Sequence, residues 1–202
     1  MADQPIQPNT ATTTKSPQGG AGFPVRKPGA GFAPKKRAKA FSEYKKSLVE
    51  KQTLKNWYGL SERQFKKYVL VTLAKMGKVE NVSDELIRLL EKRLDNVVFR
   101  IGFAKTRAQA RQMVSHGFFN VNGRRVNIPS YKVDRDDVIA LKANKTKKSI
   151  FKDLEEEMKS REVPSWLAFN KSKLEGLCKG EPTLLEVKPP AEISLIFEFY
   201  SK

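Results

Sequence analysis

One histidine, His116, and one cysteine, Cys178, are the only imidazole and the only thiol in this 202-residue chain. A hydrolase or transferase needs a nucleophile, a base and a charge stabiliser converging on one atom. No local motif joins Cys178 to His116, and a free cysteine is usually a small buried hydrophobe. Asp136–Asp137 and Glu155–Glu157 read as solvated charge runs rather than paired catalytic carboxylates. A single cysteine excludes an intrachain disulfide and a multi-cysteine zinc site, and a single histidine excludes a histidine cluster. The sequence therefore predicts no enzyme, no metal and no cofactor. The chemistry on offer is non-covalent: cations and flat rings that can hold a polyanion.

The formal net charge is +17, from 39 Lys+Arg against 22 Asp+Glu. Residues 92–148 alone carry +10, from 14 basic and 4 acidic residues, whereas 149–202 carry −2, from 8 basic and 10 acidic. Such a concentration repels itself, and a nucleic acid relieves it while releasing counterions. Trp57, Tyr58 and Tyr131 are rings that can stack on unpaired bases, with core packing as the alternative. No run of about 18 apolar residues suggests a membrane span, and the first residues lack the apolar centre of a secretory signal. A cytoplasmic location is expected.

Elements that would position these groups follow from spacing. Residues 1–40, rich in Pro, Gly, Thr and Lys with GAGF repeated at 20–23 and 29–32, predict a disordered basic arm. Phe41, Tyr44 and Leu48 begin a helix that ends near Trp57–Gly59. Ser61 then caps a second, with Phe65, Tyr68, Val69, Thr72 and Leu73 as its stripe and Gly77 as its stop. Ser83 is the expected cap of a third helix, along which Leu86, Leu90, Leu94, Val97 and Ile101 form one buried stripe while Arg93 and Arg100 project elsewhere. Gly102 ends it. Thr106 and Gln109 make a capping box for a fourth helix, with Ala110, Met113 and Val114 inward and Arg107, Arg111 and Ser115 on another face. Gly117 stops that helix beside His116. Asn122-Gly123 predicts a two-residue hairpin turn with Arg124 and Arg125 just past its tip. Ile128, Tyr131, Val133, Val138, Ile139 and Leu141 suggest further strands, followed by a basic exit at 142–148 that includes Lys145 and Lys147. An acidic helix with Ile150, Leu154 and Met158 on one face follows. Residues 193–200 fit strand or helix equally well.

The stretch RLDNVVFRIGFAKTRAQARQMVSHGFFNVNGRRVNIPSY, with WYGLSERQFKKY at 57–68, VPSWL at 163–167 and FEFYS at 197–201, closely resembles the universal S-four family of small-subunit ribosomal proteins. The resemblance spans roughly residues 41–202. It implies an α+β protein: a discontinuous, mainly helical domain (41–92 and 149–202) interrupted by an α/β RNA-binding module (93–148). It favours a helix at 193–200. It implies a structural role on small-subunit ribosomal RNA at a multi-helix junction, early in assembly, beside neighbouring ribosomal proteins and the path by which messenger RNA enters. A second role as translational repressor occurs in some members. Carried over by position, Arg93, Arg107, Arg111, Gln112, His116, Asn122, Ser130 and Tyr131 would face RNA in the module, and Tyr58, Gln64 and Lys67 in the helical part. The chain lacks the four zinc cysteines of some members, begins with an arm unlike the usual start, and has Pro182–Leu185 where Pro-Thr-Arg-Glu is usual.

Alternatives are an RNA-modifying enzyme carrying the same module, which would need a catalytic domain beyond it, and a free regulatory RNA-binding protein. Arg107 and Arg111 are expected to reach RNA at little consequence for stability; the competing reading pairs them with Asp95 or Asp134. RNA affinity should fall steeply with salt, by about 0.9 log units per log unit of salt for each duplex phosphate neutralised. Titrations that stay flat between low and moderate salt would defeat the electrostatic account.

Overall fold

A computed structural model describes residues 42–143, 163–170 and 173–201; 40–202 form one compact unit. The expected arm, the basic exit with Lys145 and Lys147, and the acidic helix at 153–158 lie outside the described residues. The fold is α+β, built on two apolar cores.

The first core is helical. Helix α1 (Glu43–Trp57) is capped by Ser42, whose Oγ accepts from the Lys45 amide. Its buried face is Ser47, Lys51 and Leu54, not the one expected from Tyr44, which is exposed. Helix α2 (Glu62–Leu73) starts at the Ser61 cap as expected and buries Phe65, Val69 and Thr72. Helix α3 (Val82–Glu91) is capped by Asn81 rather than Ser83: the Asn81 carbonyl oxygen of the side chain accepts from the Ser83 and Asp84 amides. Asx geometry two residues earlier outcompetes the serine. Leu54, Phe65, Val69, Leu86, Ile87 and Leu90 are closed over by Ile193, Ile196 and Phe197. Those last three belong to a helix at Ile193–Ser201, which settles the ambiguous ending as helical.

The single long helix expected across 86–101 is broken. Helix α4 (Leu94–Ile101) restarts after Lys92 and an extended Arg93 (φ −70°, ψ 136°). Its first amides, Leu94 and Asp95, donate to the carbonyls of Tyr131 and Pro129, so a loop of the module caps it. The apolar stripe crosses the break and serves two cores: Leu86 and Leu90 the helical one, Leu94, Val97 and Ile101 the sheet.

The second core lies between α4, α5 (Arg107–Ser115) and a five-stranded antiparallel sheet. Thr106 accepts from the Gln109 amide, and the Gln109 side chain accepts from Lys105, one residue outside the expected box. Strands β1 (Phe119–Val121) and β2 (Arg124–Arg125) are joined by Asn122 and Gly123 at φ 49° and 76°, the positive angles the hairpin requires. Strand β3 (Val138–Leu141) pairs with β1; residues 128–133 form a loop rather than a strand, apart from one bridge from Lys132 to Arg93. Strands β4 (Leu167–Asn170) and β5 (Glu175–Cys178) complete the order β2-β1-β3-β5-β4. Strands β4 and β5 thus extend the module's sheet, and Trp166, Leu167 and Cys178 join its core. Among the described residues of 149–202, α6 (Leu184–Val187) and α7 (Ile193–Ser201) return to the helical core, so the span expected to form the second part of the mainly helical domain divides its described part between both cores.

Gly176 lets α4 lie close on the sheet: a Cβ there would overlap Ile101 Cδ1 and stand 3.2 Å from Cγ1. Ile101 is fully buried and has no room to retreat. Gly176→Val should lower stability by about 1–3 kcal/mol, the usual range for overpacking. An unchanged midpoint in chemical denaturation would show that α4 shifts freely over β5.

Candidate nucleic-acid interface

Two buried carboxylates organise the region where the cores meet. Glu91, 0 % exposed, accepts from the Tyr58 hydroxyl (2.8 Å), Asn96 Nδ2 (2.5 Å) and Arg100 through Nε (2.9 Å) and Nη2 (2.7 Å). Asp95, 2 % exposed, accepts from Arg93 through Nε (3.1 Å) and Nη2 (2.8 Å) and from Arg111 Nε (2.9 Å). Arg111 also donates to the carbonyls of Tyr58 and Gly59, locking the end of α1 to α5. Arg107 donates from Nε to Asn96 Oδ1 (2.8 Å), and its guanidinium lies 4.1 Å from the Trp57 ring centroid and 4.5 Å from that of Phe99. Burial lowers the Arg107 pKa from its ordinary value. Burial followed by the Glu91 charge and hydrogen bond pushes the Tyr58 hydroxyl well above its own. For Arg93 burial acts downward, but the Asp95 hydrogen bond and charge prevail and raise it.

These contacts correct several expectations. Tyr58 does not project toward a ligand: it is 2 % exposed and committed to Glu91. Arg93, 3 % exposed and held by Asp95, is no free cation and meets a ligand only as part of a cleft wall. Arg107 and Arg111 are half-buried parts of the same network rather than a free cationic face: Arg111 pairs with Asp95, whereas Arg107 is held by Asn96 and the Trp57 and Phe99 rings. Arg100 likewise turns inward. The spacing of arginines on α4 and α5 was legible, and Asp95 was a candidate partner, but their direction depended also on Glu91 and Asn96, to which the sequence assigned no role. The available signal was polar residues inside an apolar run, LEKRLDNVV, together with Arg rather than Lys at all four positions: a planar fork suits bidentate burial.

The remaining candidates are exposed, in two groups. Gln112 and His116 lie on the last turn and the C-cap of α5. The hairpin residue Arg125 reaches the same end, for a Cβ on Gly117 would come within 2.7 Å of its Nε. Arg124 is exposed beside it. Asn122 is exposed too, but its amide is occupied: Oδ1 accepts from the Val138 amide and Nδ2 donates to Asp137 Oδ1 (2.7 Å). Asp137 is therefore a brace for the hairpin and not merely solvated charge. The second group is Gln64 and Lys67 on α2 and Ser130 on the loop, which line one cleft together with Arg93 and Tyr68. Tyr131 is half-exposed next to Ser130. Cys178 sits in the sheet core, where burial raises its thiol pKa. Among the described residues no helix is long and apolar enough to cross a membrane.

Comparison with known proteins matches this geometry. The profile of the ribosomal protein S4/S9 N-terminal domain covers residues 26–91, and that of the S4 domain covers 92–139. Their boundary coincides with the break between α3 and α4. The small ribosomal subunit protein uS4 of Persephonella marina is 45 % identical over 161 residues, 79 % of this chain and 77 % of that one. The uS4 of Corynebacterium kroppenstedtii is 42 % identical over 184 residues, covering 91 % and 90 % of the two chains. That of Aquifex aeolicus is 45 % identical over 169 residues, covering 82 % and 79 %. Fold and matches define an S4-domain protein. More narrowly, the chain belongs to the uS4 family of small ribosomal subunit proteins. The N-terminal profile begins at residue 26, so part of the stretch read as unlike the family's usual start does match it.

Removing Asp95 would leave Arg93 buried without its counter-ion. Asp95→Ala should cost about 3–5 kcal/mol of stability, as for other broken buried pairs, and Arg107→Ala/Arg111→Ala should also melt earlier than the parent. Midpoints from urea unfolding decide it: values equal to the parent's would mean these arginines simply move out into water.

Proposed function

We propose that this chain is a structural constituent of the small ribosomal subunit that binds its ribosomal RNA through the exposed groups on α5, the β1–β2 hairpin, the 128–131 loop and α2. The observation that carries this reading is that the likeness to uS4 proteins extends on both sides of the S4 module, over 91 % of the chain in one relative. An RNA-modifying enzyme carrying the same module would match within the module and diverge outside it. The finer reading places the protein at a multi-helix RNA junction, early in assembly, touching neighbouring ribosomal proteins and the messenger's path, in the cytoplasm. Repression of a messenger is a compatible second role.

Physically, the scaffold suits such work. A rigid ion network fixes α1, α4 and α5 to one another, so exposed polar groups are held in place before RNA arrives, which limits the ordering cost of binding. Phosphate contacts supply affinity and fix register; unpaired bases supply selectivity.

Sedimentation provides the direct test: the protein should travel with the small subunit at one copy per particle, and its absence from purified subunits would sink the assignment. Arg124→Ala/Arg125→Ala offers a finer check. Both residues are exposed on a two-residue edge strand, so the melting temperature should hold. RNA affinity should drop and the slope of log affinity against log salt should shrink by about two. A slope equal to the parent's would take the hairpin out of the interface.

A further inference from the structure

We infer that the cleft between α2 and the 128–131 loop seats one unpaired nucleotide of the bound RNA, an inference that rests on the RNA-binding reading above. The cleft has a volume of about 380 Å³. Val71 and Leu89 give it apolar lining, and Tyr68 and Arg93 give it planar lining. Arg93 donates to the Tyr68 hydroxyl (2.7 Å), and its guanidinium carbon stands 5.6 Å from the ring centroid. Because Arg93 is also held bidentately by Asp95, this pair is fixed in advance.

The other polar groups are uncommitted. Among the described residues the side chains of Gln64, Lys67 and Ser130 make no hydrogen bond or ion pair, in contrast to Arg107 and Arg111. An amide and a hydroxyl, each both donor and acceptor, match the edge of a base. Apolar and planar surface matches its faces. The Lys67 ammonium, with exposed Lys66 and Arg63 on the same helix, matches its phosphates. A bare phosphate would leave the Val71 and Leu89 surface without purpose. An acidic protein segment would not need planar lining.

The test uses the full chain and the small-subunit RNA fragment that it protects, with base reactivity and affinity read together. Val71→Trp places an indole in the cleft at an exposed position and removes no charge. It should weaken binding about ten-fold or more, as loss of a stacked base does, and restore the reactivity of one base that the parent shields, with the salt slope unchanged. Leu185→Trp, the same enlargement at an exposed position outside the cleft, should keep that base shielded. Gln64→Ala/Ser130→Ala alters two exposed side chains and should expose the same base, which keeps the question decidable if the tryptophan variant folds poorly. Parent-like affinity and shielding in Val71→Trp, or in the double variant, would overturn the cleft as the seat. If the parent itself shows no preference for small-subunit RNA over unrelated RNA, the functional reading falls, and the cleft with it.

Discussion

Two carboxylates held out of water, Glu91 and Asp95, are the constraint on which this molecule depends. An ionised carboxylate is tolerated in an interior only when nearly all its acceptor sites are filled. Filling them requires Tyr58 from the end of α1, Asn96 and Arg100 from α4 and Arg111 from α5. Helices otherwise belonging to different apolar cores are thereby brought to one place. Replacing such a network by apolar groups often leaves stability unchanged or raises it, so its contribution is best understood as register: it permits one relative placement of α1, α4 and α5. Arginine serves here where lysine would not, since a planar fork satisfies two oxygens at once and also stacks, as Arg107 does on Trp57.

The same network changes what the positive charge of residues 92–148 means. Arg93, Arg100, Arg107 and Arg111 are drawn inward, and Glu91 and Asp95 offset part of their charge. Among the described residues, Arg124 and Arg125 of the hairpin and Lys66 and Lys67 of α2 are left outward, together with neutral polar groups such as Gln64, Gln112 and Ser130. A surface of that composition can discriminate among RNA shapes, whereas a uniformly charged one would hold any phosphate backbone about equally.

Much of the fold could be read from the chain because its local signals are strong. Ser61 and Thr106 cap helices, Gly102 and Gly117 end them, and Asn122-Gly123 turns the hairpin, each through backbone chemistry confined to a few residues. The errors share another cause. The break at Lys92–Arg93 is hidden because apolar spacing runs through it unaltered; only the carbonyls of Pro129 and Tyr131, distant in sequence, stop the helix there. The burial of Tyr58 and Arg93, and the joining of residues 167–178 to the module's sheet, likewise depend on partners far along the chain. Sequence spacing reports which residues share a face. It does not report what that face meets, so the arginines were found and their direction was not.

Helix α7 bears on the opposite end of the described chain. The Glu192 amide donates to Glu50 at 2.9 Å, the Tyr200 hydroxyl donates to Glu62 at 2.8 Å, and Lys51 lies 4.7 Å from the Phe199 ring centroid. Strand β5 likewise pairs with β3, about forty residues earlier in the chain. During synthesis from the amino terminus, α1 and α2 emerge first, α3 then packs against them, and the core around Phe65 and Val69 stays incompletely closed until Ile196 and Phe197 are made. The helical core of a nascent chain is therefore open until α7 is made, and its apolar surface is meanwhile accessible to chaperones and proteases. Loss of Ile196 and Phe197 would leave the helical core in that form, whereas the core between α4, α5 and the sheet contains neither residue.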